Sequence, residues 1–534
     1  MRLRTPVPIR LRRPDMNDKS PASNSTYYSA SAVRKSLLHF LLGKSVSAIS
    51  TLLVLLFIVR EFSIAEFGAY TSLHALVLII GLISSLGVPQ VLHRYLPELR
   101  THGNNRAMYR LLVSGITLRA CLYALFCMLV LAIIGLVTST FKLDDWYAIV
   151  PGYLLVGFLR VNATFIAQAL ESLLWQRDAQ YSLALGGLTK LLATSYCAVT
   201  EQLTLVNFVQ VEIFSELAAL ILLLAFVLRR WMTDKERAVG DTAVLRKDGR
   251  RYLRFGFWCY MQNATSIFSG SAPNRLFVAY FLSAEYIAIF GLVDRLIDFV
   301  RRYEPLHLFV GMIRPVLMSR FSQNMDFQQL VRLGNLVLLA NYVLLFAPLV
   351  VLLVSGDVVL DWLTEGKYVD IAWLTAAFYI VVLVHSVSAL LDMLVKAVEH
   401  NRVYLFSNLF LSGSLLLAVP LIPSLGLWSI AAANLTGLLL AMTIIIRYIG
   451  ARSFNYQFEW RHGGIVALIA GLATVFGFAL TWAGLPNLFA GCLALLAYIV
   501  LIYLRLPLRP EEKATMLEIL PLPVRNVLQP RAQS

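Results

Sequence analysis

Residues 331–355 read Val-Arg-Leu-Gly-Asn-Leu-Val-Leu-Leu-Ala-Asn-Tyr-Val-Leu-Leu-Phe-Ala-Pro-Leu-Val-Val-Leu-Leu-Val-Ser. After Arg332 no charged residue appears until Asp357. A helix rises about 1.5 Å per residue, so such a run reaches across the ~30 Å hydrocarbon core of a bilayer. Similar runs recur along nearly the whole chain. They lie at 36–59, 69–92, 111–138, 148–171, 179–200, 203–228, 255–282, 286–312, 371–395, 403–420, 424–446, 463–483 and 487–504. With the first run they make fourteen. The pattern predicts an all-α, polytopic membrane protein with about fourteen transmembrane helices.

Composition agrees. Of 534 residues, 58% are hydrophobic and 14% charged, against roughly 45–50% and about 25% in soluble domains. The net charge of +15 does not point to nucleic acid, because the basic residues fall in short connecting loops and at both ends. Cys121, Cys127, Cys197, Cys259 and Cys492 lie inside apolar runs at spacings that match no metal motif. They read as small buried hydrophobes. The Arg-rich start lacks a cleavage signature, so the first span is expected to act as an uncleaved anchor.

Loop charge sets the orientation. If residue 1 is inside and sides alternate, inside segments carry 35 of the 46 Lys and Arg residues. The outside loops carry three, Arg60, Lys142 and Lys367, and eight lie within spans. That skew is what the positive-inside rule requires. Both ends are therefore expected in the cytoplasm.

The longest polar connection, 229–254, holds nine basic residues and divides the chain. The expected organisation is a basic tail 1–35, a first lobe 36–228, a linker 229–254 and a second lobe 255–447. Two further helices within 463–504 and a tail 505–534 follow. Phe62-Ser-Ile-Ala-Glu-Phe-Gly-Ala69 and Phe281-Leu-Ser-Ala-Glu-Tyr-Ile-Ala288 agree in identity or aromatic type at five positions. Six spans separate them. The lobes therefore form a parallel pseudo-repeat, related by an axis along the membrane normal and enclosing a central cavity.

The eight bases within spans are Lys44, Arg119, Arg160, Lys190, Arg275, Arg295, Arg301 and Arg302. Each costs about 2.5–3.5 kcal/mol at the bilayer centre if it faces lipid, and eight on the order of 20 kcal/mol. They are expected to face a cavity or the bundle interior. The spans hold fewer acids, chiefly Glu171, Glu212, Glu216, Asp294, Asp298, Glu304 and Asp392. The bland reading is internal pairing. The functional one is a cationic chamber that binds an anionic substrate. Residues 294, 298, 301 and 302 share one helix face. Asp294 and Asp298, one turn apart, are candidates for ion coupling because burial and like charge both favour proton sharing. Asp392 is the reserve candidate.

Other motifs fail. Gly43-Lys44-Ser45 imitates the end of a phosphate loop, but Leu38 stands where the first glycine belongs. No nucleotide-binding domain follows, so no ATP is expected to be used. His39, His74, His385 and His400 stand singly and read as satisfied bundle histidines, not metal ligands. No catalytic triad or paired carboxylates stand out, so the chain is not expected to be an enzyme.

Three stretches resemble a known family. The first is Arg60-Glu-Phe-Ser-Ile-Ala-Glu-Phe-Gly-Ala-Tyr70, continuing to Leu86-Gly87-Val88 and Arg94. The second is Asn274-Arg275-Leu276, where the family often has Asp-Arg, with the Ala284-Glu285-Tyr286 turn after it. The third is Glu365-Gly366-Lys367-Tyr368, followed by Leu421-Ile-Pro-Ser-Leu-Gly426 and Ala431-Ala-Ala433. Together these resemble the Wzx-like polysaccharide flippases of the multidrug/oligosaccharidyl-lipid/polysaccharide exporter superfamily, over about residues 36–450. The resemblance implies alternating access around a cationic cavity in a bacterial inner membrane. It implies an undecaprenyl-pyrophosphate-linked oligosaccharide as substrate, membrane lipids and other polysaccharide assembly proteins as partners, and a proton or sodium gradient instead of a cofactor. A drug exporter of the same superfamily is an alternative that the basic cavity disfavours. A glycan polymerase or ligase is another, disfavoured because the longest outside loop, 356–370, is short.

Overall fold

The computed structural model describes residues 30–234, 237–265, 270–304, 306, 327–368, 371–397, 402–452 and 454–505. Residues 1–29, the end of the predicted eighth span and nearly all of the C-terminal tail lie outside them. The described residues are helical and contain no strand.

The first half comprises α1 (Ala30–Glu61), α2 (Ile64–Ile83), α3 (Val88–Thr101), α4 (Asn105–Ala132), α5 (Ile134–Thr140), α6 (Val150–Ser172), α7 (Gln176–Val199) and α8 (Leu205–Thr233). A short helix α9 (Ala243–Lys247) follows in the basic linker. The second half runs through α10 (Gly249–Thr265), α11 (Ser271–Phe281), α12 (Ala284–Tyr303), α13 (Phe327–Thr364), α14 (Ile371–Ala397), α15 (Arg402–Gly413), α16 (Ala418–Leu425) and α17 (Trp428–Gly450). Helices α18 (Trp460–Trp482) and α19 (Asn487–Arg505) end the described chain and pack on α13.

Twelve helical stretches among the described residues are long and apolar enough to cross a membrane. They are the predicted spans one to six and nine to fourteen. Spans seven and eight differ for a physical reason. Span seven is divided between α10 and α11, of 17 and 11 residues. Span eight, α12, carries Glu285, Asp294, Arg295, Asp298, Arg301 and Arg302 within 20 residues. Neither is a lipid-facing rod. Both face the other half, with α2 packed against α11 and α12. That contact is close: a Cβ on Gly291 of α12 would collide with the Thr71 side chain of α2. With little hydrophobic drive between helices in lipid, such small-residue approaches carry much of the packing.

The two Ala-Glu turns open α2 and α12. Ser63 caps α2: its Oγ accepts from Glu66 N–H at 3.2 Å, and Glu66 Oε2 accepts from Ser63 N–H at 3.0 Å. This is a complete capping box. Glu66 Oε1 also takes the first N–H of α8, from Leu205, at 3.0 Å. At the second copy Ser283 is the cap residue, and Glu285 falls at the second helical position instead of the third. The box cannot close there, and Ser283 makes no side-chain cap bond.

Helix α3 departs from the expectation of a plain loop at 93–110. Val88, Leu92, Tyr95, Leu96 and Leu99 form its buried stripe. All but Tyr95 pack with Met108, Leu112, Ile166, Leu170 and Leu223 into a core separate from the main one.

Candidate functional site

The eight span cations do not form one chamber in this conformation. Lys44 on α1 lies over the Phe40 ring at 5.6 Å. Arg119 on α4 is buried and acts as a helix cap. It donates to Ser84 Oγ at 2.9 Å and to Gly81 O at 2.5 Å, satisfying the open end of α2.

Arg160 of α6 and Lys190 of α7 close a four-membered charge cluster with Glu212 and Glu216 of α8. Arg160 reaches Glu212 at 2.5 Å and Glu216 at 2.8 Å. Lys190 reaches the same two acids at 3.1 and 3.0 Å. Two bases offset two acids, so this cluster ties three helices together with no excess charge.

The remaining residues gather where α2 meets α11 and α12. Arg275 of α11 has no exposed surface. Its Nε donates to Asp294, its Nη2 to Asp298 at 3.2 Å, and its Nη1 to His74 Nδ1 of α2 at 2.9 Å. A guanidinium only donates, so His74 Nδ1 must be the unprotonated nitrogen. Arg301 lies 3.8 Å from Asp298 on its far side. Arg302, although on the same helix, is exposed.

Arg295 is different. Its guanidinium lies over the Tyr70 ring at 5.0 Å. Its Nε and Nη2 are buried and have no hydrogen-bond partner among the described residues. Tyr70 packs with Tyr153 and Phe208, at ring distances of 6.1 and 5.6 Å. The cluster therefore holds three bases, Arg275, Arg295 and Arg301, against two acids. Its spare donors belong to Arg295, and Arg301 Nε is likewise buried without a partner. Such an arrangement offers fixed donors and net positive charge to an anion. Asp392 stands apart on α14, close enough to Tyr404 of α15 to act on it electrostatically. Sequence reasoning missed Tyr70 and treated His74 as ordinary packing. Only their place across from the charged face of α12 reveals them.

The two halves also touch at both ends of this cluster. On the side of the predicted outer loops, Arg60 Nη2 donates to Trp362 O at 2.8 Å, and its guanidinium stacks on the Trp362 ring at 4.6 Å. Arg60 also lies 3.7 Å from Glu365. Lys367 donates back to Arg60 O and to Phe62 O. Lys142 donates to Leu282 O. On the basic-loop side, Arg251 of α10 meets Glu98 of α3 at 3.2 Å, and Tyr95 packs on Tyr252 at 4.3 Å. There Gly87, with φ +76°, meets Gly256, whose carbonyl oxygen a Cβ on Gly87 would strike.

Gly87→Val is expected to hold that side apart, because a β-branched residue is disfavoured at this φ and its Cβ meets backbone. Cys259 on α10 is half-buried. In a variant keeping only this cysteine, Gly87→Val should raise its reaction rate with a water-soluble maleimide several-fold. An unchanged rate would show that the Gly87–Gly256 contact does not control access.

No family model matches the sequence, and no curated protein matches it. Solved structures do. The described architecture matches a structure of the lipid II flippase MurJ in an inward closed conformation, with a TM-score of 0.63. That match covers 87% of this chain and 98% of the flippase, at 12% identity. The two chains share one fold. It is also found in an inward-facing multidrug resistance MATE transporter of the MOP superfamily, with a TM-score of 0.56, 12% identity and coverage of 76% and 94%. The MATE multidrug transporter DinF-BH gives 0.56, 15% identity and coverage of 79% and 96%. The shared fold thus accounts for nearly the whole length of each of these proteins. It establishes a multi-pass membrane architecture for this chain.

Proposed function

We propose that this protein is a flippase that moves an anionic lipid-linked glycan, an undecaprenyl-pyrophosphate-linked oligosaccharide, across a bacterial inner membrane. The observation that carries the reading is Arg295: a half-buried cation between the two halves whose Nε and Nη2 are buried and meet no acceptor among the described residues. A pyrophosphate supplies the missing acceptors and the balancing charge. Arg275 and Arg301 hold the local positive excess, and exposed Arg302 extends it toward solvent. The Arg119 and Arg160–Lys190 sites brace the helices around the path. The lipid II flippase named above lends support, since its substrate is also lipid-linked.

The halves rock about the α2–α12 contact, exposing the Arg295 site first to one side and then to the other. An ion gradient drives the cycle. Asp294, Asp298 and Asp392 are the acids that the sequence puts forward for coupling, and Arg275 and Arg301 already pair with the first two. Other polysaccharide assembly proteins supply and take up the glycan. Deleting the gene and identifying the lipid-linked glycan that accumulates tests the reading. Accumulation of none, together with lost resistance to cationic drugs, would favour a drug exporter instead.

The proposed orientation places both ends in the cytoplasm. Reporter fusions after residues 100, 240 and 515 should read inside, and fusions near 64, 284 and 362 outside. An outside reading at either end would overturn it.

A further inference from the structure

We infer that the Glu304 carboxyl is a proton-binding site, built at the junction of α12, α13 and α14. Glu304 follows the last turn of α12, where the chain leaves the helix at φ −61° and ψ 138°. The residue is 3% exposed. Ser386 Oγ of α14 donates to Glu304 Oε2 at 3.3 Å. Asn341 of α13 donates from Nδ2 to that same Oγ at 3.0 Å. Its Oδ1 accepts from Leu306 N–H at 3.0 Å, which fixes which end of the amide faces Ser386.

Among the described residues, the charged and titratable groups around the carboxyl are Arg301 on α12, Tyr342 on α13 and Tyr379 on α14. Both phenols donate elsewhere, Tyr342 to Leu383 O at 3.4 Å and Tyr379 to Leu345 O at 2.8 Å. Arg301 leans toward Asp298 at 3.8 Å. Among the described residues no base lies within 4 Å of Glu304. The Ser386 proton is itself contested, because Val382 O stands 3.2 Å from its Oγ.

Among the described residues, an ionised carboxyl here is a buried charge whose hydrogen bonds come from neutral groups, with Arg301 acting on it only from a distance, at the negative end of the α12 dipole. A proton removes the charge and turns the group into a donor. Asp294 and Asp298 lack this need, since Arg275 and Arg301 supply their counter-charge. Glu304 also sits where α12, the helix of the Arg295 site, joins α13 and α14. Adding or removing a proton there changes how α12 is seated. The use of that change for coupling rests on the transport reading; the site itself does not.

The test uses the full chain in lipid nanodiscs and infrared difference spectra recorded between acid and alkaline pH. The expected result is a protonated-carboxyl band that disappears in Glu304→Gln and persists in Asp392→Asn. Sodium added at fixed pH should leave the band unchanged. Glu304→Gln keeps the shape of the neutral acid, and thermal unfolding reports whether it folds. Should it not fold, Ser386→Ala serves in its place: with the carboxylate's donor gone, the band should survive to more alkaline pH. A band unchanged in Glu304→Gln, a band displaced by sodium, or an unshifted Ser386→Ala titration would each overturn the inference. A chain that shows the band but flips no glycan removes the transport reading and keeps the site.

Discussion

Arg275→Ala is expected to destabilise the protein more than any other single substitution in the cluster. Arg275 is fully buried and serves three partners at once, Asp294, Asp298 and His74. Removing it leaves two carboxylates one turn apart, beneath α2, facing each other without their shared cation. Breaking a buried pair by deleting one partner costs about 3–5 kcal/mol, because the survivor keeps its desolvation penalty. Thermal unfolding in detergent should show the loss as a clearly lowered midpoint. Arg275→Met combined with Asp294→Asn and Asp298→Asn should recover much of it, since no buried carboxylate is then left without its cation. A single variant as stable as wild type would mean that Arg275 is not the organising cation of the α2–α11–α12 contact.

Arg295→Ala should behave in the opposite way. No acceptor among the described residues depends on its buried Nε or Nη2, so folding loses chiefly the contact with Tyr70. Binding should lose the charge-assisted hydrogen bonds to the substrate anion. At about 1.5–3 kcal/mol, and about 1.4 kcal/mol per tenfold, affinity falls by roughly 10- to 100-fold. The measurement is binding of an undecaprenyl-pyrophosphate-linked oligosaccharide to purified variants. Arg295→Lys should fall between, because an ammonium keeps the charge and loses the paired donors. Loss of stability with unchanged affinity would assign Arg295 to the frame, not to the substrate.

The contrast between these arginines shows what a sequence discloses. Both stand in apolar surroundings, so both announce themselves as costly and therefore engaged. The spans themselves were equally plain, because a bilayer demands a length and an apolarity that no loop imitates. The Ala-Glu turns drew attention to α2 and α12, which pack against each other. Partnership was not legible. The spacing of Asp294, Asp298 and Arg302 suggested pairing along one helix. The structure instead brings Arg275 from α11 and His74 from α2, and leaves Arg302 exposed. Sequence separation hides such contacts: Arg160 and Glu212 are neighbours only because α6 and α8 pack side by side. Helix α3 was hidden for another reason. Its apolar stripe sits among Arg94, Glu98 and Arg100, and Pro97 lies within it, so average hydropathy reads the segment as a loop.

Only three bases stand in the predicted outer loops, and every one reaches from one half to the other. Lys142 and Lys367 end on backbone carbonyls, and Arg60 ends on one carbonyl and on the exposed carboxylate of Glu365. A carbonyl oxygen never titrates, and an exposed pair adds at most about 1 kcal/mol. The opposite side is held by Glu98 and Arg251, whose attraction fades with salt over about 8 Å at physiological strength. The two sides therefore answer to different surroundings. In the proposed orientation, the seal that meets a changeable environment is nearly indifferent to acidity. The one that responds to ionic conditions faces the cytoplasm, where the cell keeps those conditions steady.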